Sequence, residues 1–179
     1  DAVKIQIVDY KDSYSKNSSS FKIFKKNYLR LKDIEHINNY CRKKNIIFFA
    51  TPSGDSAINI LKKTNFPAVK ISSSLLNNTP YLKKISRTIK KPYILSTGMA
   101  YLSEIKESSI ILSKQKIPYI LLKCTSQYPA DDKNLNLNSI STIKKKFKCL
   151  VGYSDHTKDN LACLSAVSKG AKVIEKHFN

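Results

Sequence analysis

Leu150-Val151-Gly152-Tyr153-Ser154-Asp155-His156 is an apolar run that ends in a polar triplet, and the same design returns at Val173-Ile174-Glu175-Lys176-His177. Each run reads as a short β-strand whose C-terminal end carries the chemistry. Side chains two apart on a strand share a face, so Ser154 goes with His156 and Glu175 with His177. The chain has 3 histidines, and this arrangement uses two of them. Two imidazoles at the ends of successive strands, each beside a polar partner, make half of a metal or substrate site. His36 lies off the apolar stripe of its own helix and is expected on the surface.

Working outward, seven apolar runs rich in β-branched residues recur: Ala2–Val8, Ile46–Ala50, Ala68–Ile71, Tyr93–Ser96, Tyr119–Lys123, Leu150–Tyr153 and Lys172–Lys176. From the second run onward, successive starts lie about 22 to 31 residues apart, the length of a βα unit. Strands with nearly continuous apolar sequence suit a parallel sheet covered on both faces. Helical periodicity fills the gaps: Ile34, Ile37 and Cys41 fall at i, i+3, i+7, as do Leu82, Ile85 and Ile89, and Ile140, Ile143 and Phe147. Thr79-Pro80 reads as an N-cap and first-turn proline, and Gly170 as the stop before the last strand. The polar stretch Ser15–Ser20 reads as a mobile part of a long loop after the first strand.

Successive βα units leave two architectures, a doubly wound sheet or a (β/α)8 barrel. A dinucleotide-binding sheet wants a glycine-rich phosphate turn; the chain has no G-x-G-x-x-G and only 4 glycines. Polar residues instead gather at the C-terminal ends of nearly every strand, where a barrel keeps its active site. The expected class is therefore α/β, a (β/α)8 TIM barrel.

Composition narrows the partners. At 179 residues, 41% hydrophobic and 25% charged, the chain supports one globular domain. No apolar run approaches the length of a membrane span, and no signal peptide is visible. The 4 cysteines form no C-x-x-C and no zinc spacing, which fits a reduced, cytoplasmic protein with cysteines as small core residues. The net charge of +19 comes from dispersed lysines, as at Lys43-Lys44, Lys62-Lys63, Lys83-Lys84 and Lys144-Lys145-Lys146. A nucleic-acid reader concentrates charge on one face, so no specific nucleic-acid role is expected, and no membrane role.

The strand ends offer Lys4 with Gln6, Thr51, Lys70 with Ser72, Ser73 and Ser74, Ser96-Thr97-Gly98, Thr125-Ser126 with Tyr128, Ser154 with His156, and Glu175 with His177. Two lysines and a ring of hydroxyls suit a small, multiply charged phosphate ester. A histidine pair nearby suits a divalent ion. Cys124 reads as packing, with no histidine close to it in sequence.

The segments DAVKIQ (1–6), ATP (50–52), PAVKISS (67–73), ILSTGMA (94–100), LLKCTSQYPA (121–130), VGYSDHT (151–157) and VIEKHF (173–178), in this order and spacing, resemble the sialic acid synthase family, the bacterial N-acetylneuraminate synthases. The resemblance implies a phosphoenolpyruvate-dependent transferase of carbohydrate biosynthesis. Such an enzyme condenses phosphoenolpyruvate with N-acetylmannosamine and water to give N-acetylneuraminate and phosphate, with Mn2+ or Mg2+ bound. It implies His156 and His177 as metal ligands, Lys4, Thr51, Lys70, Ser73, Ser96, Ser126 and Ser154 as substrate-binding residues, and Tyr128 and Glu175 at the reacting end. It also implies that residues 1–179 are an internal part of the synthase barrel, its strands 2 to 8. The first strand, the last helix and the antifreeze-like C-terminal domain would lie outside the chain, and the intact parent would be a homodimer. The fragment alone is expected to be inactive or poorly soluble. Two departures stand out: Ser72-Ser73-Ser74-Leu75 replaces the family's x-S-G-E, and Ser126 falls where many members carry asparagine. Legionaminic or pseudaminic acid synthesis is the alternative within the family; a basic polyanion-binding module or an inactive barrel is the alternative outside it.

Overall fold

The structure, a computed structural model, describes residues 1–178. Seven parallel strands alternate with helices: β1 (Ala2–Val8), α1 (Tyr10–Ser13), α2 (Ser19–Lys26), α3 (Leu31–Lys43), β2 (Ile47–Ser53), α4 (Asp55–Lys63), β3 (Val69–Ile71), α5 (Thr79–Thr88), β4 (Tyr93–Ser96), α6 (Leu102–Lys114), β5 (Tyr119–Cys124), α7 (Ser139–Phe147), β6 (Leu150–Asp155), α8 (Leu161–Ser168) and β7 (Val173–Lys176). This is the expected α/β alternation, with every strand read from sequence present. The chain divides into two compact units, residues 1–70 with 87–92, and residues 71–86 with 93–179.

In the first unit β1 pairs with β2 over seven positions, from Ala2 with Ile47 to Val8 with Ser53, and β2 meets β3 at Ala50 and Val69. Its core is apolar on both sides of the strands, with Ile7, Phe48, Ala50, Val69 and the helix residues Ile34, Ala57, Ile58 and Leu61 buried. Phe48 and Phe66 meet edge to face with ring centroids 5.4 Å apart. Ser15–Ser20 is not a loop throughout: Ser18 Oγ accepts from Phe21 N–H and caps α2. The signal was the Phe21–Phe24 spacing after the serine run, where a hydroxyl is a favoured cap.

In the second unit β4, β5, β6 and β7 lie side by side in chain order. Leu82, Ile85, Leu95, Leu112, Leu121, Leu122, Ile140 and Tyr153 are fully enclosed. Asn78, not Thr79, caps α5, because its Oδ1 accepts from Tyr81 N–H at 3.1 Å; Thr79 is already helical. At α6 the third helical residue, Glu104, accepts from Tyr101 N–H at 2.7 Å and from Asn77 at 3.1 Å. Those two bonds hold its carboxyl below the usual range, against a small opposing effect of burial. Gly170, at φ +96, ends the last helical segment as read from sequence. The paired and tripled lysines at 43–44, 62–63, 83–84 and 144–146 are all exposed, and His36 is exposed as expected. No helix among the described residues is long and apolar enough to cross a membrane.

Several strands run further than the apolar pattern suggested. β2 continues through Thr51 to Ser53, β5 to Cys124 and β6 to Asp155. Parallel pairing carries the ladder past the last apolar residue and into the polar one, which brings polar side chains of the strand ends onto regular backbone.

Candidate active site

Register decides which polar residues of the second unit meet. Cys124 pairs with Ser154, and Ser154 with Glu175, so these three form a row across β5, β6 and β7. His156 and His177 extend the same face two residues further on. Their ring centroids lie 5.7 Å apart. Tyr128 stacks on His156 at 3.9 Å and meets His177 edge-on at 5.8 Å. Burial raises the Tyr128 phenol above its ordinary value, helped by the electrostatic effects of Cys124 and Glu175. A cleft of about 310 Å3 opens here, its walls including Tyr128, His156, Lys176 and His177.

His156 is oriented by backbone. Its Nδ1 lies 2.6 Å from the Thr125 carbonyl oxygen, an acceptor only, so Nδ1 carries the proton and Nε2 keeps its lone pair. The Ala130 N–H donates to the His156 carbonyl at 2.9 Å and ties the same loop to the strand end. Cys124 Sγ is 3.9 Å from Nδ1, so a histidine stands beside this thiol in space although none is near it in sequence. The proton that Nδ1 shares with Thr125 leaves no base facing the sulfur, and Cys124 remains a buried packing residue.

The two imidazoles fit a divalent ion. With about 2.0–2.1 Å from metal to nitrogen, an ion bound by both rings lies roughly 3.2 Å from each centroid; centroids up to about 6.4 Å apart can share one. The observed separation lies inside that limit. Among the described residues, no group of three or more His, Cys, Asp or Glu is arranged to hold a metal. The two imidazoles could therefore supply two ligands of a coordination sphere and no more than two from this set of residue types.

A second cluster surrounds Gly98. The Gly98 N–H donates to Ser73 Oγ at 3.0 Å. A β-carbon at position 98 would sit 2.7 Å from Ser126 Oγ, 3.0 Å from Ser73 Oγ and 3.1 Å from the Cys124 carbonyl. Glycine here lets hydroxyls from the turns after β3 and β5 close over the turn after β4. Ser73, Ser96 and Ser154 are buried, whereas Ser126 is exposed. In the altered segment Ser72 and Ser74 share a hydroxyl hydrogen bond at 3.0 Å, and Ser73–Leu75 form a 3-10 turn.

The remaining expected residues belong to the first unit. Lys70 is buried, Lys4 is half-buried on β1, and Thr51 on β2 is buried with its Oγ1 lacking a hydrogen-bond partner. An enclosed hydroxyl without a partner is costly unless a ligand supplies one. A larger cleft of about 410 Å3 in this unit, lined by Lys62, Asn65, Lys90 and Lys91 among others, precedes β3 and β4 and holds no acid, histidine or cysteine. It lies at the wrong end of the strands for barrel chemistry.

Sequence reading missed Asp155 and Lys176. Asp155 is 1% exposed and takes a 2.5 Å ion pair from Lys176 Nζ. Burial pushes its carboxyl upward; hydrogen bonds from Lys176, the Thr157 N–H, Cys163 and the Thr157 hydroxyl more than reverse this and hold it at about 2. The Thr125 carbonyl was missed as well.

Comparison with known proteins agrees with this architecture. A family profile described as the NeuB family matches residues 1–179. The chain is 42% identical over 179 residues to an uncharacterized protein, MJ1065, of Methanocaldococcus jannaschii, covering 99% of this chain and 53% of that protein. It is 41% identical over 165 residues to the N,N'-diacetyllegionaminic acid synthase of Campylobacter jejuni, covering 90% of this chain and 49% of the relative. Among solved structures, N-acetylneuraminic acid (sialic acid) synthetase from Leptospira borgpetersenii superposes with a TM-score of 0.95 at 35% identity, over 99% of this chain and 62% of that one. The chain spans about half the length of the curated relatives it matches.

Proposed function

Because the chain belongs to the NeuB family, we propose that the whole protein is a phosphoenolpyruvate-dependent synthase that condenses phosphoenolpyruvate with N-acetylmannosamine and water, giving N-acetylneuraminate and phosphate. The observation that carries the reading is the pairing of His156 and His177 beneath Tyr128, at the ends of β6 and β7. His156, through Nε2, and His177 would hold a divalent ion, Mn2+ or Mg2+. When bound, such an ion supplies Lewis-acid polarisation of a carbonyl oxygen.

The chain's own residues do the rest. Ser73, Ser126 and the Gly98 turn present hydroxyls to phosphate oxygens, with Ser96 and Ser154 completing the donors. Lys4, Lys70 and Thr51 are carried over from the family resemblance as further contacts to the enol phosphate. Each charge-assisted bond contributes about 1.5–3 kcal/mol, enough to hold a small trianion in place. Tyr128 and Glu175 are carried over from the family resemblance as the residues at the reacting end, and the register of Glu175 beside Ser154 supports Glu175 as the carboxylate that moves a proton. Orienting the enol carbon against the sugar aldehyde contributes several kcal/mol to lowering the barrier.

The test is phosphate release from phosphoenolpyruvate by the whole protein, with N-acetylmannosamine and Mn2+, with and without chelator. Release that needs both sugar and metal, and that His156→Ala and His177→Ala abolish, supports the reading. Release indifferent to the sugar, or none with any hexose, rejects it. A legionaminic-type product is the second reading, favoured by the 41% identity to the Campylobacter synthase; the same assay with the corresponding diacetamido sugar separates the two.

A further inference from the structure

Asp155 and Lys176 occupy the centres of the two polar triplets, Ser154-Asp155-His156 and Glu175-Lys176-His177. Side-chain alternation turns them away from their histidine neighbours along each strand, at the margin of the same cleft. They are register partners across β6 and β7. Lys176 Nζ donates to Asp155 Oδ2 at 2.5 Å, to the Thr157 carbonyl at 2.8 Å and to the Asp159 carbonyl at 2.7 Å, which uses all three of its protons.

Asp155 is equally committed. Its Oδ1 accepts from the Tyr153 hydroxyl at 3.1 Å and the Thr157 N–H at 3.0 Å; its Oδ2 also accepts from the Thr157 hydroxyl at 3.0 Å and Cys163 at 3.2 Å. A buried ion pair is often no more stabilising than apolar residues of the same shape, but it is strongly unfavourable to mispair. A one-residue slip of β7 against β6 would turn every side chain to the other face and leave this carboxylate enclosed without its cation. Such a knot selects one register above all others.

We propose that Asp155 and Lys176 are positioning residues that lock the ends of β6 and β7 in register and thereby set the separation and orientation of the His156 and His177 rings. The inference deepens the reading of those histidines as metal ligands and rests on it for its metal readout. It makes the central and the outer residues of the two triplets a single device: the histidines close the strand ends, and the central pair fixes where they stand.

The test uses the full chain with two readouts. The first is ring-to-ring nuclear Overhauser contacts among Tyr128, His156 and His177 without metal; the second is Co2+ titration followed by visible absorption. Lys176→Met should lose the ring contacts and weaken Co2+ binding on the order of 10–100-fold, as loss of an orienting partner does, while the amide signals of β4 and β5 persist. Lys176→Arg, which keeps the charge, should recover most of both. Ile143→Val, in the core of the same unit, should keep both readouts. Lys176→Met retaining ring contacts and Co2+ affinity overturns the proposal, as does equal loss in Ile143→Val. Should Lys176→Met fail to fold, Thr157→Val removes one hydroxyl from Asp155; a partial loss of ring contacts supports the proposal and unchanged contacts overturn it. If the unaltered chain shows the ring contacts but binds no Co2+, the metal reading falls, while loss of those contacts in Lys176→Met still supports positioning.

Discussion

Gly98→Ala separates packing from binding in a way the geometry makes quantitative. The φ of Gly98 lies outside the left-handed region, so alanine fits the backbone, and stiffening the unfolded chain alone would stabilise by about 0.4–1 kcal/mol. Three contacts oppose that gain. Ser126 Oγ at 2.7 Å belongs to an exposed side chain and can rotate away; the Cys124 carbonyl at 3.1 Å is β5 backbone and must shift by a few tenths of an ångström. Ser73 Oγ at 3.0 Å is buried and is the acceptor for the Gly98 N–H itself. Crowding of this kind costs about 1–3 kcal/mol, leaving a net loss of roughly 0.5–2 kcal/mol. For a chain of this length that lowers Tm by about 2–4 °C per kcal/mol.

Binding should suffer more than folding. Displacing the Ser73 and Ser126 hydroxyls removes one or two charge-assisted bonds to phosphate, each about 1.5–3 kcal/mol. Phosphoenolpyruvate affinity, measured by calorimetry on the whole protein, should fall at least tenfold. A Gly98→Ala protein with raised Tm and unchanged phosphoenolpyruvate affinity would refute both the crowding estimate and the assignment of this turn to the phosphate.

Three further outcomes are expected. Burial first, then Asp155, raise the Cys163 thiol to about 11, so at pH 8 its thiolate fraction falls from about one in ten to one in a thousand, and iodoacetamide should label it about a hundredfold more slowly in the folded chain than in urea. Because the folded value lies above the unfolded one, the stabilising effect of the neutral thiol is complete below pH 9 and lost between about 9 and 11; urea midpoints across that window should fall less in Cys163→Ser. Ser108→Ala leaves the buried Leu76 carbonyl without the 2.7 Å hydroxyl bond that ties α6 to the turn after β3, a loss of about 1–3 kcal/mol readable by urea unfolding. Finally, the dispersed lysines should give only weak duplex-DNA binding that disappears at physiological salt in a fluorescence anisotropy titration; persistent tight binding would favour a polyanion-binding role.

The fold was legible because a parallel strand enclosed on both faces writes itself as consecutive apolar residues, and all seven such runs became strands. Their ends were not legible. Ser154 and Asp155 continue β6 through backbone pairing with β7, and a ladder is blind to whether the side chains it carries are polar. The histidine pair could be found because strand alternation predicts which residues share a face. Asp155 and Lys176 could not, since 21 residues separate them and nothing local states that one will be the other's partner. The carbonyl of Thr125 has no sequence signal at all, because every residue possesses one. This asymmetry follows from where the information lies. Groups that touch a ligand are specified by residue type, whereas groups that orient them are specified by register, and register becomes known only once two strands have met. In β6 and β7 the two kinds alternate along six residues, so reading every second one recovers the chemistry and misses what holds it in place.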